Sequence, residues 1–132
     1  MLVKDVMTAN EKLIVLGQTA TVREALAKMR THGIRSIIMD KSNPHGAYGI
    51  VTFKNILQSI VAEDGDIDLL NIYDIANAPA ISVSSQLDVK YAARMMVSSS
   101  IKRLLVIDNN ELLGILTMTD IIGVLMDSIE SE

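Results

Sequence analysis

The chain has 132 residues, no cysteine, and 12 Lys and Arg against 16 Asp and Glu, a formal net charge of −4. That composition excludes disulfides, thiolate metal sites and a cysteine nucleophile, and the acidic balance argues against a surface that attracts nucleic acid or anionic lipid along its whole extent. With 49% hydrophobic residues and a mean hydropathy of +0.33, it has more apolar material than one small core needs, and a subunit interface is the natural use for the excess.

In chain order, Leu13-Ile14-Val15-Leu16 reads as a short strand bounded by Asn10-Glu11-Lys12 and Gly17. Thr21-Val22-Arg23-Glu24 has capping-box spacing, and Val22, Ala25, Leu26 and Met29 line one face of a helix that Gly33 ends. Strands are predicted over residues 34–39 and 47–51, joined by the loop Lys41-Ser42-Asn43-Pro44-His45-Gly46. Phe53, Ile56, Leu57, Ile60 and Val61 then give an amphipathic helix. The acidic stretch Glu63-Asp64-Gly65-Asp66-Ile67-Asp68 is the one linker candidate. Its Asp-x-Asp-x-Asp start is like a calcium loop, but the required glycine is missing and the twelfth position is Ile75.

The second half repeats these elements. Ala80-Ile81-Ser82-Val83 is the short strand, Ser85-Gln86-Leu87-Asp88 opens the helix, and residues 101–107 and 112–116 are strands joined by the tight turn Asp108-Asn109-Asn110-Glu111. Met118, Ile121, Ile122, Leu125, Met126 and Ile129 line the last helix. Val22 to Ile38 returns 67 residues later as Val89 to Leu105, and Gly49-Ile50-Val51-Thr52 returns 65 residues later as Gly114-Ile115-Leu116-Thr117. The expected organisation is a first repeat over 1–66 and a second over 67–132, each strand-helix-strand-strand-helix. Each half alone would bury only about 60% of the surface its unfolded chain exposes, so the two are expected to pack together.

The element order, the doubled Gly-x-x-Thr signature, the phrase Ile101-Lys102-Arg103-Leu104-Leu105-Val106-Ile107-Asp108 and the lead-in Val3-Lys4-Asp5-Val6-Met7-Thr8, echoed by Ile72-Tyr73-Asp74-Ile75-Ala76, resemble the CBS-domain family. The resemblance covers nearly the whole chain. It implies a mixed α/β (α+β) fold of tandem CBS repeats packed as a pseudo-twofold pair, two clefts between them, and homodimerisation through amphipathic helices. It also implies ligands of the adenosyl class, with AMP, ADP, ATP or S-adenosylmethionine as candidates and no required cofactor.

The strongest local candidate is Gly114-Ile115-Leu116-Thr117-Met118-Thr119-Asp120. A carboxylate can accept hydrogen bonds from both hydroxyls of a ribose diol, with a threonine hydroxyl beside it. Thr-x-x-Asp before an apolar stripe is equally a helix capping box, and the two roles are compatible. By the resemblance, Thr8, Leu13, Ile14, Ile34, Arg35 and Ser36 complete this site, with Ile115 against the purine and Lys102 and Arg103 toward phosphate. A second, weaker site is implied at Ile50, Thr52, Asn55, Ala80, Ile81, Ile101 and Lys102, where Asn55 replaces the carboxylate with an amide.

No enzyme is expected. His32 and His45 have no carboxylate or nucleophile at motif spacing, Ser98-Ser99-Ser100 lacks a glycine-rich elbow, and the methionines fall on core stripes, so no catalytic or metal residue is assigned. Lys4 and Asp5 interrupt any signal segment and no apolar run reaches about 18 residues. A soluble, cytoplasmic sensor follows, acting through its own association or an unidentified protein partner. Its rivals are a constitutive dimerisation module with empty clefts and a nucleic-acid binder, the latter opposed by 3% aromatic content.

Overall fold

A computed structural model describes residues 1–130, with the side chain of Glu130 left aside. The elements are α1 (Val3–Val6), β1 (Thr8–Ala9), a 3₁₀ turn (Asn10–Lys12), β2 (Val15–Leu16), α2 (Val22–His32), β3 (Ser36–Met39) and β4 (Gly49–Thr52). They continue with α3 (Phe53–Ile56), a π-helix (Leu57–Ala62), α4 (Ile72–Ile75), β5 (Ser82–Val83), α5 (Val89–Ser99), β6 (Arg103–Asp108), β7 (Glu111–Thr117) and α6 (Met118–Glu130). The fold is mixed α/β, as expected.

The chain divides into two compact units, one of residues 1–13 with 81–132 and the other of residues 14–80. Compact units and sequence repeats therefore part company at their lead-ins: residues 1–13 belong to the unit of the second repeat, and 67–80 to that of the first. The first unit holds a four-stranded sheet in the order β1-β7-β6-β5, the second a three-stranded sheet in the order β2-β3-β4. In each, the hairpin is antiparallel and the short strand joins parallel to its first arm.

Backbone pairing and apolar burial explain the placement of the lead-ins. Val3 donates its N–H to the Leu87 carbonyl at 2.8 Å and Lys4 to that of Ser85 at 3.0 Å, while the Val3 side chain sits with Val83, Ala92, Met96, Leu104, Val106 and Leu116 in the core of its unit. In the other unit Ile72 and Ile75 of α4 pack with Val22, Ala25, Met29, Ile37, Val51 and Ile56. A side chain of that size contributes about 1.5–3 kcal/mol when fully buried, which outweighs the modest cost of a chain crossing.

The α2 caps are as the sequence predicts. Thr21 Oγ1 accepts the Glu24 N–H at 3.1 Å, and Gly33 closes the helix in the left-handed region at φ 62°. The hairpin turn is also as expected, with Asn109 and Asn110 both at positive φ, the pattern of a type I′ turn.

Three expectations are corrected. Ser85 does not open α5. Asp88 caps it, accepting the Lys90 N–H at 2.9 Å, and Ser85 is buried with its hydroxyl and its N–H both donated to the Asp108 carboxylate. Those hydrogen bonds hold the Asp108 carboxyl below its ordinary range.

Residues 63–68 are not a linker. The carbonyls of Ile67 and Leu70 accept the first N–H groups of α2, from Arg23 and Val22, each at 3.0 Å, and Asp68 pairs with Arg23 through two contacts, one of them 3.0 Å to Nη2. Orphan donors at the helix start draw the acidic loop onto the unit. The third correction is the helix after β4, which is α-helical for four residues only and then π. Glu63 N–H reaches back five residues to the Gln58 carbonyl at 3.0 Å.

Candidate functional site

β7 runs Leu112, Gly114 and Leu116 along its buried face, which carries Leu116 into the core beside Leu104. Thr117, the last residue of the strand, faces the other way and stands at the start of α6. There the Asp120 N–H donates to Thr117 Oγ1 at 3.1 Å, and the Thr117 N–H donates to Asp120 Oδ2 at 3.0 Å. The capping box anticipated from spacing is formed in both directions. It engages one carboxylate oxygen of a half-buried side chain. A carboxylate has about four lone-pair sites, so the box and a ligand hydroxyl are compatible partners for the same group.

The strand register gathers several of the expected residues around this helix start. Thr8 pairs with Ile115 across β1 and β7, and Arg103 pairs with Thr117 across β6 and β7. The Met118 N–H donates to the Lys102 carbonyl at 3.1 Å, so Lys102, exposed just before β6, is tied by its backbone to the first residue of α6. Ile115, expected against a purine, is buried. Leu13 lies in the same unit, its N–H donating to the Asn10 carbonyl at 3.0 Å.

Gly114 makes the lead-in's approach feasible. A Cβ there would collide with the Thr8 carbonyl oxygen, so the β1–β7 pairing that places Thr8 requires glycine at this point. Ile14, Ile34, Arg35 and Ser36 belong to the other unit. There the Ile14 carbonyl accepts the Ile38 N–H at 3.0 Å, Ser36 pairs with Thr52, and Arg35 is exposed.

The second candidate set has the same local design with different chemistry. Asn55 Oδ1 accepts from the Thr52 N–H at 2.8 Å and from the Thr52 hydroxyl at 3.0 Å, and the Asn55 N–H returns to Thr52 Oγ1 at 3.4 Å. The amide oxygen is thus engaged twice within the box, and the group left beyond it is the Nδ2 donor. Ile50 and Ala80 share this unit, with the Ala80 N–H donating to the Tyr48 carbonyl at 2.9 Å. Ile81, Ile101 and Lys102 fall in the other unit. The Ile81 carbonyl accepts the Leu105 N–H and the Ile101 N–H donates to the Met96 carbonyl.

Asn77 is a residue that the sequence reading missed. It bridges Ile50 antiparallel, with paired backbone bonds of 3.0 and 2.9 Å, the relation that Thr8 has to Ile115. The signal was present in the lead-in echo, since continuing Asp5 and Asp74 by three residues aligns Thr8 with Asn77.

His32 and His45 are exposed. Among the described residues no three His, Cys, Asp or Glu gather to hold a metal, and no helix is long and apolar enough to cross a membrane. In the calcium-like stretch the Asp66 carboxylate accepts the Asp68 N–H at 2.8 Å. Asp68 is held by Arg23, and that hydrogen bond lowers its pKa.

Comparison with known proteins agrees with this geometry. The CBS domain model matches residues 3–62 and again 72–127. An uncharacterized protein of Methanopyrus kandleri is 35% identical over 130 residues, covering 94% of this chain, which spans 65% of that protein's length. The structure of a hexameric CBS-CP12 protein from bloom-forming cyanobacteria superposes with a TM-score of 0.85 at 30% identity, covering 92% of this chain and 69% of that one. The CBS domain pair of protein MJ0100, in complex with 5′-methylthioadenosine and S-adenosyl-L-methionine, shares the fold with a TM-score of 0.80 at 24% identity over 95% of this chain and 99% of that one.

Proposed function

The chain belongs to the CBS-domain family, and from that premise we propose that it is a regulatory module that takes an adenine nucleotide or another adenosyl ligand at the Asp120 end of β7. The observation that carries this reading is the carboxylate of Asp120, tethered at the first turn of α6 with one oxygen in the capping box and acceptor capacity remaining. A cis-diol offers two O–H donors to such a group, and charge-assisted bonds of this type contribute about 1.5–3 kcal/mol. Thr8 and Thr117 supply hydroxyls nearby in register, and Lys102 with Arg103 supplies positive charge toward a phosphate. The adenosyl ligands of MJ0100, on the same fold, support the ligand class.

Occupancy acts on self-association or on a protein partner through its differential affinity for two states. The self-association half of this reading draws on the apolar residues that α6 leaves exposed and on the hexameric assembly of the CBS-CP12 relative.

Thermal unfolding with AMP, ADP, ATP and S-adenosylmethionine tests the ligand half. A ligand at a hundred times its Kd adds about 2.7 kcal/mol to the native state, read as a rise in Tm. Asp120→Asn, which retains a box of the Asn55 kind, should cut that rise by about half or more while leaving the ligand-free Tm in place. A variant that still binds as wild type does would reduce Asp120 to a helix cap. The constitutive-module reading is then the one that remains, provided the chain self-associates without ligand.

A further inference from the structure

The starts of α2 and α5 are built on one plan, and they part at one side chain. The Leu70 carbonyl accepts the Val22 N–H and the Met1 carbonyl accepts the Val89 N–H, each at 3.0 Å, and the bridges Thr21–Asn71 and Leu2–Asp88 match in the same way. At the next residue α2 is covered by the acidic loop: the Ile67 carbonyl takes the Arg23 N–H and the Asp68 carboxylate pairs with the Arg23 guanidinium. On α5 the Asp88 carboxylate takes the Lys90 N–H at 2.9 Å, and the Lys90 side chain lies over the Tyr91 ring, 5.2 Å from its centroid. Arg94 lies over the same ring at 5.5 Å. Among the described residues neither cation makes an ion pair.

We infer that the Lys90-Tyr91-Arg94 face of α5 is a docking site for an acidic segment of a partner protein, of the kind that Asp66-Ile67-Asp68 presents to α2, with carboxylates on either side of an apolar residue. Residues 89–99 contain no Asp or Glu, on a chain whose net charge is −4. Lys90 and Arg94 stand at i and i+4, where like charges repel, so an incoming carboxylate is attracted by both and relieves their repulsion. Arg94 offers a planar fork to a carboxylate and Lys90 a point charge. Tyr91, 47% exposed, and Val97, 73% exposed and one turn beyond Arg94, give an apolar residue of the segment a surface to cover. The two cations over the ring also limit its freedom before anything binds. This chain's own acidic loop is engaged at α2 within its own unit, so the occupant comes from another protein.

The probe is a labelled peptide with the sequence of residues 63–70, Glu-Asp-Gly-Asp-Ile-Asp-Leu-Leu. Fluorescence anisotropy at low salt should show saturable binding to the full chain, weakening as salt is raised. The same peptide with its four carboxylates converted to amides should not bind, a control that leaves the protein untouched. Lys90→Ala combined with Arg94→Ala should raise the Kd by about five- to twentyfold, the equivalent of two exposed ion pairs. Both side chains are exposed, and circular dichroism at the assay temperature checks that the variant is folded.

No saturable binding, or a Kd that the double substitution leaves unchanged, would overturn the site. A Kd raised by Arg23→Ala and not by the α5 pair would place the peptide at α2, by exchange with the chain's own loop, and overturn it equally. An oligonucleotide of the same charge that binds α5 as tightly would put a general polyanion in place of the acidic segment and overturn the choice of partner. None of these outcomes bears on the adenosyl reading, which the Tm shift judges separately.

Discussion

Thr117–Asp120 and Thr52–Asn55 occupy corresponding places, each joining the last strand of a repeat to its final helix, and each forms a reciprocal capping box. Backbone geometry is preserved while chemistry diverges. At the first, one carboxylate oxygen serves the box and an acceptor remains; at the second, the amide oxygen takes both the N–H and the hydroxyl of Thr52, and a donor remains. A box closed by Asp in one repeat and by Asn in the other thus leaves the outward group free to differ, and one repeat can be specialised for a diol without disturbing the fold of either.

The largest expected effect tests the other shared feature, the burial of each lead-in. Ile72→Ala empties a fully buried site in its unit and should cost about 2–5 kcal/mol in urea unfolding. Val3→Ala, its counterpart, removes less volume and should cost less. Equal small losses would mean that the lead-ins are not part of their cores.

The chemical contrast comes next. Asp120→Asn should weaken the adenosyl ligand by about 10- to 100-fold, the equivalent of one charge-assisted bond, in calorimetric titration. Asn55→Asp should add a second, weaker equivalent of ligand. A titration unchanged by either substitution would break the comparison.

Two smaller effects sharpen it. Ser100 ends α5 at φ 54°, where the first repeat has Gly33 at φ 62°. Since left-handed backbone costs a non-glycine residue about 1–2 kcal/mol, Ser100→Gly should raise stability by up to about 1 kcal/mol in the same unfolding assay. The last effect is confined to acid. The Asp108 carboxyl is held low by the Ser85 hydroxyl and N–H, so its contribution to stability is complete above the ordinary carboxylate pKa of about 4 and is lost as pH falls through the lower native value. Ser85→Ala should flatten the acid limb of a stability–pH curve, whereas Ser84→Ala should leave most of it.

Much of this was legible in the residues because it is local. The Thr21 cap, the Gly33 terminator, the Asn109-Asn110 turn and the Thr117–Asp120 box each depend on residues within a few positions, and the nearest hydrogen-bond partner is decided by spacing. The misread elements have competing partners far away. Ser85 was a sound N-cap by type, but Asp108 of the distant hairpin takes its donors. Residues 63–68 looked like a solvated linker until α2 offered unsatisfied N–H groups to Ile67 and Leu70. Asn77 was visible only as the continuation of a weak echo, because its role comes from pairing with Ile50 and not from its own side chain.

The amino-acid order alone determined that there are two copies of one unit, where their helices start, and that one copy carries a carboxylate where the other carries an amide. Periodicity and short-range hydrogen bonding specify these without reference to the rest of the chain. Only the tertiary structure decided that each lead-in completes the unit of the other repeat and which apolar faces stay uncovered. Strand pairing and core volume are settled among residues far apart in sequence, from Ile50 with Asn77 to Thr8 with Ile115, where register and close approach, such as Thr8 over Gly114, choose between partners that look equivalent in sequence.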